Sequence, residues 1–338
     1  MAKRVALALG SGGARGYAHI GVINELRSRG YDVVGIAGSS MGALVGGVYA
    51  AGSLDEFTEW AQTLTQRTML RLLDPSISAA GVLRAGKILD AVRDMLGDAT
   101  IENLPIPFTA VATDLIAGKS VWLQRGPVDD AIRASIAIPG IVAPHLLNGR
   151  LLADGGILDP LPMAPIAAVN ADLTVAVTLS GTYTDLRADE PAGFETTPTR
   201  ERLNRLLRST SALLETPTAR SVLSRFGPTA EIASATEEFE TAELEIQGDD
   251  LFAETSRDAP APKLGSFAVM NRTIEIAQAA LARHQLAAYP PDLLIEIPRT
   301  ACRSLDFHRA AEVIELGHEI AAQALDSLNL DSAKLPGD

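Results

Sequence analysis

The chain has 338 residues, of which 47% are hydrophobic and 4% are aromatic, so small and aliphatic residues must fill most of its core. Its formal net charge of −13 argues against nucleic acid or an anionic membrane as a partner for the whole surface. The single cysteine, Cys302, excludes an intramolecular disulfide and fits a reducing compartment. The apolar run Val5–Leu9 is too short for the core of a signal peptide, which favours a cytoplasmic protein.

Apolar, β-branched segments alternate with segments of helical periodicity along most of the chain. Predicted strands cover 4–9, 33–37, 108–113, 119–123, 151–153, 172–179 and 293–297. Predicted helices cover 16–29, 41–51, 54–64 with Ser53 as its cap, 84–97, 129–136, 160–169, 264–288 and 305–328. This order indicates an α/β fold with a mostly parallel sheet covered by helices on both faces. Sites in such sheets form at the carboxyl ends of strands, where each glycine-rich turn described below is expected to lie.

Residues 182–262 differ from the rest in composition, because they carry many Pro, Thr, Glu and Asp residues and have no strand pattern. A helix is predicted near 200–215, and the acidic run Glu231–Asp258 contains a single basic residue, Arg257. The ordinary interpretation is a solvated surface segment, and a lid or partner-binding segment is the alternative. We therefore predict a hydrolase core of residues 1–181 and 263–330 with an acidic, partly helical insertion at 182–262.

An uncharged span from Val33 to Leu54 is long enough to cross a bilayer. Its glycines and serines, and the lack of basic anchors on one side, favour a buried strand, a tight turn and a buried helix instead. The turn, Gly38-Ser39-Ser40-Met41-Gly42, has the G-x-S-x-G pattern of a nucleophile elbow, which presents a serine hydroxyl at its tip. The positive end of the following helix favours negative charge developing beside Ser40.

A second glycine-rich turn, Gly10-Ser11-Gly12-Gly13-Ala14-Arg15-Gly16, follows the first predicted strand. Its spacing departs from the G-x-G-x-x-G of dinucleotide-binding proteins, and the lysine-serine pair of a P-loop is absent. Consecutive glycines can instead point backbone N–H groups at an oxyanion. We expect Gly12 and Gly13 to be the donors, together with Met41 as in other elbows, and Arg15 to hold the loop or add positive potential.

A serine nucleophile needs a base, and the chain offers both histidine and aspartate candidates. The usual order Ser-Asp-His would choose His284, His308 or His318, all of which fall in predicted helices. His19, one turn into the first helix, could also face the site. Asp154 ends a predicted strand and precedes Gly155 and Gly156, which suits a catalytic side chain as well as an ordinary Asp-Gly turn. A partly desolvated carboxylate is basic enough to serve.

The ordered segments SGGARG, GSSMG and DGG resemble the patatin-like phospholipases. Arg133–Pro139 is similar to the segment that precedes the family's aspartate motif, and Leu305–Ala311 is similar to bacterial members related to the catalytic domain of neuropathy target esterase. The resemblance covers residues 4–180 and 264–328. It implies a three-layer α/β/α fold and a Ser–Asp dyad. By position, it implies that Ser40 is the nucleophile, that Asp154 is the base, and that Gly12, Gly13 and Met41 form the oxyanion hole. The supporting residues are Gly10, Arg15, Gly16, Gly38, Gly42, Gly155 and Gly156.

One departure is Ser11, which stands where many members have glycine and which we expect to be tolerated. The sequence thus predicts a cytoplasmic serine lipid acyl hydrolase, acting as a phospholipase, lysophospholipase or esterase. No metal or organic cofactor is expected, since no cluster of ligands has metal-binding spacing. The expected partner is a lipid or fatty-acyl ester reached through an apolar patch near 200–215, and not nucleic acid.

Peripheral contact with the inner membrane face stays open, as do the acyl chain length, the head group and the oligomeric state. Two alternatives also remain at this point. One is an esterase with a Ser-His-Asp triad, and the other is a regulatory protein that keeps the fold without catalysis.

Overall fold

A computed structural model describes residues 2–68, 86–139, 141–181 and 266–334. The helix predicted near 200–215 and the acidic run Glu231–Asp258 lie outside these residues, so the role of 182–262 stays a prediction. The chain divides into a unit formed by Met1–Tyr183 with Thr273–Asp338 and a unit formed by Thr184–Arg272. The sheet and the candidate site belong to the first unit.

Most predicted elements are present within a few residues of the expected bounds. The strands are β1 (Arg4–Leu9), β2 (Asp32–Ser39), β3 (Phe108–Asp114), β4 (Lys119–Leu123), β5 (His145–Leu147), β6 (Arg150–Asp154), β7 (Leu173–Gly181) and β8 (Leu293–Pro298). The α-helices of the described residues are α1 (Ala18–Ser28), α2 (Met41–Ala50), α3 (Leu54–Gln62), α4 (Gly86–Leu96), α5 (Val128–Ser135), α6 (Ser266–Ala288) and α7 (Ala310–Lys334).

The strands form one mixed sheet in the order β5-β6-β3-β2-β1-β7-β8, with β4 paired to β3. The pairs β1–β2, β1–β7, β2–β3 and β7–β8 are parallel. The pairs β3–β4, β3–β6 and β5–β6 are antiparallel. The predicted α/β fold with a mostly parallel sheet is therefore confirmed.

Alternation along β1 separates the two faces of the sheet. Val5, Leu7 and Leu9 belong to the larger hydrophobic cluster, which also takes in buried residues of α1, α2, α3, α5 and α7. Ala6 and Ala8 belong to a second cluster, which includes Leu161, Met163 and Ile166 and residues of α6. Packed residues thus cover the sheet on both sides, with small side chains where the second layer comes close.

The position of β6 explains how distant parts of the chain meet. Because β4 pairs along one edge of β3, both β2 and β6 must use the other edge. Along that edge β2 ends at Ser39, paired with Val111, and the antiparallel β6 ends at Asp154, paired with Ala112. The ends of β2 and β6 therefore meet head to head, which brings Asp154 beside the residue that follows Ser39.

Three sequence expectations are corrected by this arrangement. Asp154 ends a strand as predicted, but β6 runs antiparallel to β3, so this strand end does not belong to the shared carboxyl edge of the parallel strands. The helix predicted for 160–169 is only a 3-10 turn at Ala164–Ile166, because Pro160, Pro162 and Pro165 remove backbone donors. Ser53 does sit at the start of α3, but its hydroxyl donates to the carbonyl of Met95 at 3.2 Å and does not cap the helix.

The uncharged span 33–54 forms β2, the elbow and α2, and ends at the first residue of α3. Within the described ranges, no helix combines the length and the apolar character needed to cross a membrane.

Candidate active site

Ser40 occupies a sharp turn between β2 and α2. Its backbone has φ 55° and ψ −122°, a conformation that costs a non-glycine residue about 1–3 kcal/mol and is found mainly at functional sites. A Cβ on Gly38 would lie 2.2 Å from the carbonyl oxygen of Gly42, and a Cβ on Gly42 would lie 2.1 Å from that of Leu9. The flanking glycines are therefore required for the turn to form at all.

The hydroxyl of Ser40 donates to Asp154 Oδ2 at 2.5 Å. The other carboxylate oxygen, Oδ1, accepts the N–H of Gly156 at 2.7 Å. The backbone of Asp154 is held as well, since its N–H donates to Ala137 and its carbonyl accepts from the hydroxyl of Thr113, both at 2.9 Å. The structure thus brings together the two side chains that the sequence assigned as nucleophile and base.

The glycines after Asp154 let this turn lie against neighbouring backbone. A Cβ on Gly155 would be 2.1 Å from the carbonyl oxygen of Val111, and a Cβ on Gly156 would be 2.8 Å from Asp154 Oδ1. A side chain on Gly155 would therefore separate the turn from β3, and one on Gly156 would crowd the carboxylate of Asp154.

Ser135 contacts the elbow, and the sequence reasoning did not single it out. Its hydroxyl accepts the N–H of Ser40 at 2.9 Å and donates to the carbonyl of Val111 at 2.6 Å. It therefore joins the elbow to β3 at the point where β2 has ended. The only signal for it was its place inside the segment Arg133–Pro139.

Burial sets the electrostatics of the pair. Ser40 is 2% exposed and Asp154 is 3% exposed. Loss of solvent raises the pKa of the Asp154 carboxyl from 3.8 to about 6, although the hydrogen bonds from Ser40 and Gly156 pull it back. The carboxylate is still ionised at pH 7 and is a much better proton acceptor than an exposed aspartate.

The glycine-rich loop after β1 presents backbone N–H groups beside this pair. The N–H groups of Gly10, Ser11 and Ala14 donate to the carbonyls of Val177, Pro160 and Ser304 at 2.8–3.0 Å. The hydrogen bonds among described residues use none of the N–H groups of Gly12, Gly13 and Met41. These are the three groups that the sequence assigned to the oxyanion hole.

Close packing explains the remaining glycines of the loop. Gly13 has φ 59°, and a Cβ there would lie 2.3 Å from the carbonyl oxygen of Ser304. A Cβ on Gly16 would lie 2.3 Å from the Cβ of Met41, so this glycine lets the loop contact the elbow helix. A Cβ on Gly10 would likewise lie only 2.9 Å from the carbonyl oxygen of Val177.

The side chain of Arg15 holds the glycine-rich loop through hydrogen bonds. Its Nε donates to the carbonyl of Gly12 at 3.2 Å, and its Nη2 donates to Glu275 Oε1 at 2.8 Å and to the hydroxyl of Ser304 at 3.1 Å. Of the two roles expected for Arg15, the contacts match the one of fixing the loop.

All five histidines lie among the described residues, and no hydrogen bond there joins one of them to Ser40. His19 is fully buried; its Nε2 donates to the carbonyl of Gly10 at 2.9 Å, and burial lowers its pKa to about 4. His145 Nε2 lies 3.3 Å from Asp130 Oδ1, and His318 Nδ1 lies 3.1 Å from Glu25 Oε2. His284 and His308 are exposed.

An apolar cavity of about 80 Å³ opens at Ser40. Its walls come from the glycine-rich loop, α2, α3, the start of α4, the segment after α5 and the segment before α7. The lining residues are Gly13, Tyr17, Ser40, Met41, Leu44, Phe57, Trp60, Leu64, Ile88, Ile136, Ile138, Ile141, Val142, Leu305 and Phe307. Apart from the hydroxyls of Ser40 and Tyr17 and the indole N–H of Trp60, these side chains offer a substrate only hydrocarbon, aromatic or thioether surface.

In the described part of the chain, no group of three or more His, Cys, Asp or Glu side chains lies close enough to hold a metal ion. Cys302 is a free thiol buried beside β8, as expected for a packing residue, and burial raises its pKa to about 11.

Comparison with known proteins places these motifs in a family. Residues 7–167 match the family described as patatin-like phospholipase. An uncharacterized NTE family protein of Mycobacterium tuberculosis (strain ATCC 25618 / H37Rv) is 65% identical over 338 residues, covering 97% of this chain and 93% of the relative. A second uncharacterized NTE family protein of that strain is 34% identical over 192 residues, covering 54% of this chain and 32% of the relative.

Neuropathy target esterase sws of Drosophila grimshawi is 31% identical over 165 residues, which cover 47% of this chain and 11% of that protein. Among solved structures, VipD from Legionella pneumophila is 16% identical with a TM-score of 0.42, covering 96% of this chain and 67% of VipD.

Proposed function

We propose that the chain is a serine lipid acyl hydrolase with a Ser40–Asp154 dyad, because it belongs to the patatin-like phospholipase family and to its NTE branch. The family supports hydrolysis of lipids in general, and the dyad rests on the 2.5 Å hydrogen bond between the two side chains. The arrangement contains a hydroxyl nucleophile, a base of raised pKa, backbone N–H groups without acceptors in the described residues, and an apolar cavity. Together these suit attack on an ester whose acyl part is a hydrocarbon chain.

In the proposed acylation step, Ser40 Oγ attacks the ester carbonyl carbon while its proton passes to Asp154 Oδ2. The carbonyl oxygen gains the electron pair of the broken π bond and is stabilised by the N–H groups of Gly12, Gly13 and Met41. Collapse of this intermediate expels the alcohol, which takes the proton from Asp154.

In the proposed deacylation step, water transfers a proton to Asp154 and its oxygen attacks the acyl-Ser40 carbonyl. The second tetrahedral intermediate releases the fatty acid, and Ser40 recovers its proton from Asp154. No step in this cycle uses a histidine or a metal ion.

The rate should depend on pH through the Asp154 carboxyl. Its protonated form cannot accept the serine proton, so kcat/KM should rise between pH 5 and pH 7 with a midpoint near 6, the raised pKa of this group. Initial rates on a short-chain nitrophenyl ester, with circular dichroism at each pH, measure this dependence. Asp159 is also buried with a pKa raised to about 6, so Asp159→Asn serves as the control and should keep the profile. A midpoint near 4 would contradict a buried base.

The cavity predicts a preference for longer acyl chains. Each methylene transferred from water into the apolar cavity contributes about 0.8 kcal/mol, so kcat/KM should rise about fourfold per CH₂ until the cavity is full. A series of nitrophenyl esters from acetate to decanoate measures this dependence.

Trp60→Ala removes part of the cavity wall and should reduce the increase per methylene. Trp122→Ala is the matched control, because the other tryptophan of the chain lies on β4, is 46% exposed and does not line the cavity. If both variants reduced the increase in kcat/KM per methylene equally, or if kcat/KM did not depend on the acyl chain length, the cavity could not be the acyl site.

The substrate class is tested most simply by product analysis on a panel of phospholipids, lysophospholipids and neutral esters. Release of free fatty acid by the wild-type chain, and none by Ser40→Ala, is the expected result. We further propose that the protein acts in the cytoplasm, consistent with its single, buried and unpaired cysteine.

A further inference from the structure

We propose that Glu275 on α6 is a positioning residue for the oxyanion hole, acting through Arg15 on the peptide bond between Gly12 and Gly13. This inference rests on the proposed function, because it concerns the same site. Glu275 lies far along the chain from the three glycine-rich motifs and belongs to none of them.

The first step of the argument is the direction of one peptide group. In a trans peptide the C=O and the N–H point to opposite sides. The Gly12 carbonyl accepts from Arg15 Nε, so the N–H of Gly13 is aimed away from Arg15. Gly13 lines the apolar cavity with Ser40, whereas Gly12 and Arg15 line a second, smaller cavity that does not include Ser40. Holding the Gly12 carbonyl therefore aims the Gly13 N–H at the space beside Ser40.

The second step is that Glu275 helps to fix the Arg15 side chain that holds this carbonyl. An arginine side chain has several rotatable bonds, so fixing it in one conformation costs rotamer entropy. Glu275 Oε1 accepts from Arg15 Nη2 at 2.8 Å and also from the hydroxyl of Ser304 at 3.0 Å. The side chains of Arg15 and Glu275 are only 8% and 18% exposed, so water screens this ion pair weakly.

The third step is that Ser304 connects the same network to the loop backbone. Its hydroxyl accepts from Arg15 at 3.1 Å, and its carbonyl accepts the N–H of Ala14 at 2.8 Å. Glu275 therefore orders both the arginine and the serine that hold the residues on either side of Gly13. Removing the charge of Glu275 leaves the buried Arg15 guanidinium without this counter-ion, which favours a different position of the Arg15 side chain.

This role has a distinct kinetic signature. Misaligned N–H groups weaken stabilisation of the tetrahedral intermediate and leave the apolar cavity unchanged, so kcat should fall while KM stays the same. Loss of a whole oxyanion donor lowers kcat by about 10²–10³, which sets the upper limit. We expect about a tenfold loss for Glu275→Gln, which keeps the shape and an acceptor oxygen, and a larger loss for Glu275→Ala.

The test compares both variants with the wild-type chain on a nitrophenyl ester. Active sites are first counted with a fluorophosphonate, and the inhibition constant of a trifluoromethyl ketone is then measured, because its adduct with Ser40 carries an oxyanion. Glu275 as a positioning residue predicts a lower kcat per labelled site, an unchanged KM and a weaker inhibition constant. Glu25→Gln is the matched control, since Glu25 is a buried carboxylate paired with Arg29 on α1. It should lower the melting temperature without changing kcat per site.

A merely structural role for Glu275 would reduce the number of labelled sites while leaving kcat per site and the inhibition constant at wild-type values, and this result overturns the inference. If the wild-type chain is active and both Glu275 variants keep its kcat per labelled site and its inhibition constant, this inference alone is overturned. A wild-type chain that neither hydrolyses esters nor reacts with the fluorophosphonate overturns the proposed function as well.

Discussion

Replacing Ser40 with alanine should reduce ester hydrolysis by about 10⁴-fold or more, to the level of the uncatalysed reaction plus binding effects. The change removes the only proposed nucleophile and leaves the cavity and the oxyanion loop in place. It creates no new backbone strain, because alanine and serine tolerate the positive φ at this position equally. Initial rates at saturating nitrophenyl ester, corrected for the blank, give the result.

The neighbouring serine provides the matched control. Ser39 is fully buried, and its hydroxyl has no hydrogen-bond partner among the described residues. Ser39→Ala therefore removes the same atom one position away and should keep wild-type kcat. Full activity in Ser40→Ala, or equal losses in both variants, would remove the assignment of Ser40 as nucleophile.

Replacing Asp154 with asparagine should lower kcat by at least about 10³-fold, because an amide cannot accept the serine proton. The side chain keeps its shape, its oxygen still accepts the Gly156 N–H and its NH₂ can donate to Ser40 Oγ. The fold should therefore survive, and the loss should appear in kcat.

The same substitution should change how stability depends on pH. The Asp154 pKa is about 6 in the folded chain against an ordinary value of 3.8, so between these values the folded state binds more protons than the unfolded state. The stability of the wild-type chain therefore falls as pH rises through this window. Asparagine does not titrate, so Asp154→Asn should gain about 2 kcal/mol of unfolding free energy relative to wild type between pH 4.5 and pH 8.

Urea unfolding at the two pH values measures this gain. Asp159→Asn is the matched control, because Asp159 is also a buried aspartate whose pKa is raised to about 6. It should show a similar gain in stability and keep wild-type kcat. Retained activity in Asp154→Asn would exclude a dyad, and a pH-independent difference in stability would exclude a raised pKa.

The parts of this fold that local patterns encode were predictable. Apolar runs that end at glycine predicted β1, β2 and β7, and helical periodicity predicted α1 and α6. The predicted helix at 160–169 was wrong because the prediction gave more weight to the apolar composition of the segment than to its three prolines. The strand β5 was missed because a three-residue edge strand has too few residues to show a period.

The candidate site was predictable where chemistry follows from consecutive residues. Ser40, Asp154 and the pair Gly12-Gly13 lie in turns whose own spacing points to them. The direction of β6 was not predictable, because its five residues read the same in a parallel or an antiparallel pairing. Ser135 and Glu275 were not predictable either, since their roles depend on hydrogen bonds to residues 95 and 260 positions away along the chain.

The measurement that tests the dyad most directly is the rate and position of fluorophosphonate labelling in the wild-type chain, read by peptide mass spectrometry. The account predicts one adduct per chain, on Ser40, formed at a rate that rises with pH around 6 and is lost in Asp154→Asn. An adduct on any other residue, or labelling of Ser40 at the wild-type rate without the Asp154 carboxylate, would contradict it.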